Sequence, residues 1–205
     1  TVIRHLPLAG ADQVGLIDEL LMVWGFDIEL DEPAEFAALR EQVKPFVDRT
    51  GLRLQTIATN IRRPGTYWRR RWGPLTHSIG HAACANALDR RHKKAVWAAG
   101  FRIDDAFPSG SHPMTDQYGS SNDLRISLDG SAHRRMDKVA FLAKHPWAVE
   151  DIHVCFNKAG SRNCGKCIKC VRSAIALDLA GLSDRCRTLP AITPDLVKYA
   201  YCGGA

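Results

Sequence analysis

Four of the chain's seven cysteines fall within one short stretch, "CFNKAGSRNCGKCIKC" at residues 155–170, spaced C-x8-C-x2-C-x2-C. Any fold that holds this stretch has to account for four thiols so close together. Zinc takes four tetrahedral ligands. A C-x2-C turn with a further cysteine two residues on can present several thiolates to one ion while Cys155 returns from upstream. Gly165 relaxes the turn between Cys164 and Cys167, and Asn163, Lys166 and Lys169 make the segment too polar for a set of reduced core thiols. The spacing therefore predicts a structural zinc site on Cys155, Cys164, Cys167 and Cys170. An iron–sulfur cluster uses similarly spaced thiolates, and spacing does not separate the two. A redox pair would need only two of the four. The "VRSAIALDLAG" that follows is amphipathic and ends at Gly181, so Cys167 and Cys170 are expected at the entrance of a helix.

The other cysteines, Cys84, Cys186 and Cys202, are scattered and the total is odd, which speaks against a disulfide framework. With no leader of the secretory kind in the sequence, this cysteine usage fits a reducing, cytoplasmic setting. The 205 residues, 45% of them apolar, suffice for one sizeable domain or a domain with an appendage. No apolar run approaches the roughly 18–20 residues of a membrane helix, so a soluble protein without a membrane partner is expected. A net charge of +6 favours anionic partners, nucleotides and phosphates as readily as RNA.

Along the chain, strand-like and helix-like segments alternate. "DELLMVWGFDI" reads as a buried strand at about residues 19–24 that opens into the loop Gly25, Phe26, Asp27. In "LDEPAEFAALREQVKPFVDRTG", Asp31 or Glu32 can cap a helix and Pro33 suits its first turn. Phe36, Leu39, Val43, Phe46 and Val47 share a face of it, Pro45 should kink it, and Gly51 should end it. "LRLQTIATN" reads as a second strand, "THSIGHAACANALDRRH" as a small-residue helix and "KKAVWAAG" as a third strand. After a Gly/Ser/Pro-rich loop, "LRISL" adds a strand, "SAHRRMDKVAFLAKH" a helix and "DIHVC" a short strand leading into the cysteines. This order predicts an α/β fold with a parallel sheet and crossover helices, whose ligands sit outside the carboxyl ends of the strands.

Three loops fall at such ends. "GSHPMTDQYGSS" gathers Gly110, Ser111, His112 and Asp116, of which His112 and Asp116 are the candidate proton-transfer groups. "WGFD" contributes Trp24, Gly25 and Asp27, although Asp27 equally suits a turn or helix cap, and "ATN" contributes Asn60. "NIRRPGTYWRRRWGP" mixes five arginines with Tyr67, Trp68 and Trp72. That mixture suits contact with substrate or RNA, or packing against a partner chain, which leaves room for a homodimer. His77 and His81 stand one helical turn apart without an acidic third ligand nearby in sequence, and read as pocket-lining or core histidines.

Taken in order, "GFDIELDEP", "ATN", "GSHPMTDQYGSSNDLRISLDG" and "NCGKCIKCVRSAIAL" resemble the adenine-nucleotide alpha-hydrolase-like, or PP-loop ATP pyrophosphatase, superfamily, over nearly the whole chain. The four-cysteine motif is similar to that of 7-cyano-7-deazaguanine synthase. The closer overall resemblance is to bacterial members sharing "GFDI", "GSHP" and "NCGxCxKC". The resemblance implies a Rossmann-like parallel sheet with helices on both faces over residues 1–150 and a zinc-binding helical segment over 151–205. It further implies a ligand site at Trp24, Gly25, Asp27, Asn60, Gly110, Ser111 and His112, with ATP and Mg2+ as cofactors beside Zn2+. Members carry a phosphate loop, S-G-G-x-D-S, after their first strand. "TVIRHLP" resembles the helix that follows it, so these 205 residues are expected to lack that strand and loop and to hydrolyse no ATP alone.

Two functions of different kinds follow. One is an ATP-dependent ligase-type enzyme that adenylates a small-molecule carboxylate or similar group and keeps zinc structural. The other is a non-catalytic, zinc-stabilised binding module for RNA or another anionic partner, marked by affinity that falls steeply with salt.

Overall fold

In the computed structural model of the protein, residues 2–6, 17–155 and 163–202 are described. The apolar run at 18–28 forms strand β1, Glu19–Trp24, which pairs in parallel with β2, Arg53–Ala58, from Glu19 opposite Arg53 to Trp24 opposite Ala58. Helix α1, Pro33–Thr50, lies between them in sequence. It starts with Pro33 in its first turn, where a missing N–H costs nothing, and continues through Pro45. Gly51 ends it at φ 68°, a left-handed conformation, with its N–H donated to the Val47 carbonyl. The expected apolar face is the less exposed one: Phe36 is buried and Leu39, Val43, Phe46 and Val47 are half-buried.

The single turn α2, Tyr67–Arg70, and a π turn, Trp72–Thr76, lead into α3, His77–Asn86. Strand β3, Lys94–Ala98, then pairs in parallel with β4, Arg125–Asp129. Ala82 and Ala85 of α3 pack with Leu124 and Ile126, and Ala95 and Trp97 close over them. Small residues on α3 let the helix approach the sheet, which is the packing that its composition predicts.

By packing, Thr1–Leu30 and Arg53–Arg134 form one unit, and Asp31–Leu52 and Arg135–Ala205 a second. The second unit contains α1, α4 (Arg135–Leu142), α5 (Ile168–Leu179) and α6 (Pro194–Cys202). Its core is built on Val149, Leu177 and Leu182. Phe46 of α1 lies 5.6 Å from Trp147, ring centre to ring centre, and Gln42 donates to the Asp151 carbonyl at 3.3 Å.

Two expectations are corrected here. The strands described form two separate two-stranded parallel sheets rather than one, because β1 and β3 face each other across a cavity of about 300 Å³ instead of pairing. "DIHVC" forms no strand: the backbone groups of Ile152, Val154 and Cys155 bond to the side chains of Asn163 and Thr188, leaving no ladder to build. Of "TVIRHLP", Val2–His5 form a 3-10 turn, and Thr1 and Pro7 lie outside the described residues. Among the described residues no helix is long and apolar enough to cross a membrane.

Candidate metal centre and strand-end site

The four cysteines of the motif converge. The Sγ atoms of Cys155, Cys164, Cys167 and Cys170 all lie within 4.8 Å of one another. Cys155 to Cys167 is 3.9 Å, Cys164 to Cys170 is 4.0 Å and Cys167 to Cys170 is 3.5 Å. A tetrahedron with metal–sulfur bonds of about 2.3 Å has edges of about 3.8 Å, so these separations fit one ion. Cys167 is the N-cap of α5 and Cys170 sits in its first turn, so the helix fixes two ligands at once. Gly165, at φ 72°, makes the turn that brings Cys164 round. The Cys167 N–H donates to the Cys164 sulfur at 3.3 Å.

Charge is distributed unevenly over the thiols. Burial pushes the Cys164 thiol up, but the backbone N–H groups of Cys167 and Lys166, with the neighbouring thiols of Cys155 and Cys167, outweigh it and bring it down to about 7. Burial, followed by the Cys167 thiol, pushes Cys170 well above the usual thiol range, against the pull of the Gly165 N–H. Cys155 and Cys170 are buried, Cys164 and Cys167 half-buried. Four thiols enclosing one point, with N–H groups aimed at the sulfurs, suit a closed site that holds a metal ion such as zinc.

Asn163, which the sequence marks only as polar, organises this site. The Asn163 side-chain oxygen accepts the N–H groups of Val154 at 2.9 Å and Cys155 at 3.1 Å. Its amide nitrogen donates to the carbonyls of Ile152 at 2.8 Å and Thr188 at 3.3 Å. Asn163 thereby fastens the arm that carries Cys155 to the turn that carries the other three. Its place beside Cys164 was the only available signal.

The strand-end residues lie in the first unit. Trp24, the last residue of β1, donates its indole N–H to the Glu29 carbonyl at 2.8 Å. Gly25 follows at φ 101°, and a Cβ there would stand 1.9 Å from the Thr59 carbonyl oxygen, so the ends of β1 and β2 touch through a position that admits only glycine. Asp27 is exposed and pairs with Arg62 at 2.7 Å, while Asn60, also exposed, accepts the Arg63 N–H in a turn. Gly110 is buried and bonds through its backbone to Gly73 and Ser78, at 2.8 and 2.6 Å. Asp116, 1% exposed, accepts from Ser111 Oγ at 2.6 Å, the His112 N–H at 2.8 Å and the Trp97 indole at 3.4 Å. Both its oxygens are thus engaged in holding the 110–116 loop against β3. The Met114 N–H donates to His112 Nδ1 at 3.2 Å, which leaves the ring proton of a neutral imidazole on Nε2.

Between these loops the structure places a cluster that sequence separated. His81 lies 4.8 Å from Phe26, 5.8 Å from Trp72 and 6.1 Å from Trp97, ring centre to ring centre, and its Nδ1 meets the His77 carbonyl at 2.8 Å. Burial lowers its pKa, an effect that the His77 carbonyl and the charges of Asp27 and Asp116 oppose. Arg62 stacks over Trp72 at 4.9 Å and also donates to the Phe26 carbonyl at 2.8 Å. Arg69 pairs with Glu29, and Arg70 bonds to the Gly65 carbonyl at 2.6 Å. Three of the five arginines of the basic stretch are therefore bound to their own fold.

No protein-family model matches the chain, and neither a curated protein nor a solved structure matches it. The fold and the site by themselves define a mixed α/β protein with two parallel strand pairs and a four-thiol cluster able to hold a metal ion.

Proposed function

We propose that the chain belongs to a PP-loop-type, ATP-dependent adenylating enzyme with a Rossmann-like core, in which zinc on the four cysteines is structural. One observation carries this reading. β1 and β3 belong to different parallel pairs, yet Phe26, just past the end of β1, and Trp97, near the end of β3, both meet the His81 ring. The carboxyl ends of parallel strands are where α/β folds bind nucleotides, and here they meet around aromatic rings able to stack on a base. Gly25 and Gly110 bring backbone close, and His112 contributes a hydrogen-bond donor at the edge. In the reaction, a carboxylate oxygen of the substrate attacks the α-phosphorus of ATP, pyrophosphate leaves with Mg2+, and a nitrogen or sulfur nucleophile then displaces AMP from the acyl adenylate.

The RNA-module alternative draws less support, since Arg62, Arg69 and Arg70 spend their donors on the protein itself. Titration of AMP and of MgATP into the zinc-loaded chain by calorimetry separates the two. Saturable AMP binding that weakens about tenfold or more in His112→Ala, with zinc content and melting temperature unchanged, supports the reading, such a loss being about 1.4 kcal/mol. Absence of nucleotide binding overturns it. Tight RNA binding with a steep salt dependence would put the module in its place.

A further inference from the structure

The segment that runs from α2 through the π turn into α3 is apolar on two sides. Its inner side packs on the fold: the Trp72 ring lies 4.8 Å from that of Phe26, and Thr76 is buried and donates its hydroxyl to the Trp68 carbonyl at 2.7 Å. Its outer side carries Tyr67, Arg71 and Leu75 one turn apart. The Arg71 N–H donates to the Tyr67 carbonyl at 3.0 Å, and the Leu75 N–H to the Arg71 carbonyl at 2.9 Å. Tyr67 is 51% exposed, Leu75 50% and Ile79, four residues further on, 49%. A helical segment at a surface ordinarily turns a polar face to water, and large apolar side chains on both sides mark one that another molecule covers.

Charge singles out what covers it. Arg62, Arg69 and Arg70 are bound to the fold, whereas Arg63 and Arg71 are exposed and, among the described residues, their side chains make no ion pair or hydrogen bond. No aspartate or glutamate occurs between Asp48 and Asp89, so the segment holds nothing to balance them. We propose that Tyr67, Arg71, Leu75 and Ile79, with Arg63 at one end, form a docking face for an acidic amphipathic helix of another protein. The apolar side chains of that helix cover Tyr67, Leu75 and Ile79, and its carboxylates pair with Arg63 and Arg71. Tyrosine and arginine are among the residues that dominate such contacts, and a face this small fits a weak, reversible one.

The same features argue against other occupants. A second copy of the chain, set on this face by a two-fold axis, gathers both copies of Arg63 and Arg71 in one small interface, where like charges repel. Single-stranded RNA stacks on rows of aromatic rings, yet in this stretch Trp72 is turned inward and Trp68 is half-buried, which leaves Tyr67. A helix lying on a membrane sets its cations on the polar face opposite its apolar one, whereas Arg71 stands within the stripe, between Tyr67 and Leu75.

NMR titration of the 205-residue chain tests the assignment with three probes: a helical peptide of about 15 residues with leucine on one face and glutamate on the other, oligouridylate, and vesicles of phosphatidylglycerol and phosphatidylcholine. Saturable shifts from the peptide, centred on residues 63–79, support it. Arg71→Glu should weaken that binding by about tenfold or more, and a peptide with lysine in place of glutamate should then bind the variant better than the parent. Leu75→Ser should weaken it about tenfold through lost apolar contact. Both variants should melt as the parent does, since both side chains are exposed. A peptide that binds elsewhere, or equally to parent and variants, overturns the assignment. Tighter binding of oligouridylate or of the vesicles at the same residues overturns it in favour of RNA or of a membrane surface, and no shift with any probe overturns it outright.

Discussion

The Asn163 side chain accepts the Cys155 N–H at 3.1 Å, and so ties the isolated cysteine of the motif to the turn that holds the other three. Through its contacts with Val154, Cys155 and Ile152, this one amide takes the place of the strand ladder that "DIHVC" would otherwise need, and a fourth contact reaches Thr188.

Asn163→Ala takes away the side-chain oxygen that the Val154 and Cys155 N–H groups share, which costs about 1–3 kcal/mol. It should also weaken metal retention by about 10–100-fold, as loss of supporting hydrogen bonds around a metal does. Competition against a chromophoric chelator, with urea unfolding of the same sample, reads both effects. Unchanged retention would reduce Asn163 to a loop residue.

One zinc per chain is expected, and Cys167→Ser should release it and loosen the second unit, because binding free energy at such a site is partly folding free energy. Elemental analysis of anaerobically purified protein checks the metal. Iron with sulfide in equal measure would replace zinc by a cluster.

Metal binding should release protons and weaken as pH falls through about 7, where the Cys164 thiol titrates and competes with the ion. Cys170, held protonated by burial, adds to the protons released. Calorimetry in buffers of different ionisation enthalpy counts them, and affinity that does not change between pH 8 and pH 6 would contradict the ligand set.

Burial lowers the His81 pKa in the folded state, so the unfolded chain binds its proton more readily. The sign follows: stability from the neutral ring is present above the unfolded value of about 6.5 and is lost as pH falls below it, toward the lowered folded value. His81→Phe keeps the ring contacts with Phe26 and Trp72 and removes the proton. The urea midpoint should fall less between pH 7.5 and pH 5.5 in the variant than in the parent, and equal falls would exclude His81 as a source of the dependence.

Gly25→Ala should cost more than about 2 kcal/mol, since a Cβ would overlap the Thr59 carbonyl oxygen at 1.9 Å on a backbone already at φ 101°. Thermal unfolding of the variant measures it. A loss under 0.5 kcal/mol, roughly the scale of ordinary surface changes, would mean that the ends of β1 and β2 part easily.

Local signals were sufficient wherever the physics is local. The spacing of Cys155, Cys164, Cys167 and Cys170 limits how four thiolates can meet, and they do meet. Pro33 and Gly51 bracket α1 because each restricts or frees the backbone at its own position, and the runs at 19–24, 53–58 and 94–98 became strands because apolar and β-branched residues dominate them, while Ile126 and Leu128 alternate with polar residues in the strand at 125–129. The role of Asn163 is not legible in sequence, because a polar side chain near a metal motif does not reveal which carbonyls lie opposite. "DIHVC" departs from its strand-like pattern for the same reason, since its backbone groups bond to side chains eight and more positions away. Phe26, His81 and Trp97, far apart in sequence, became neighbours only when two strand pairs and α3 packed together. Strand pairing in particular needs a partner, and composition sets how strongly β1 and β3 call for one without saying what stands between them; only the folded arrangement decided that two parallel sheets face each other across an open slot.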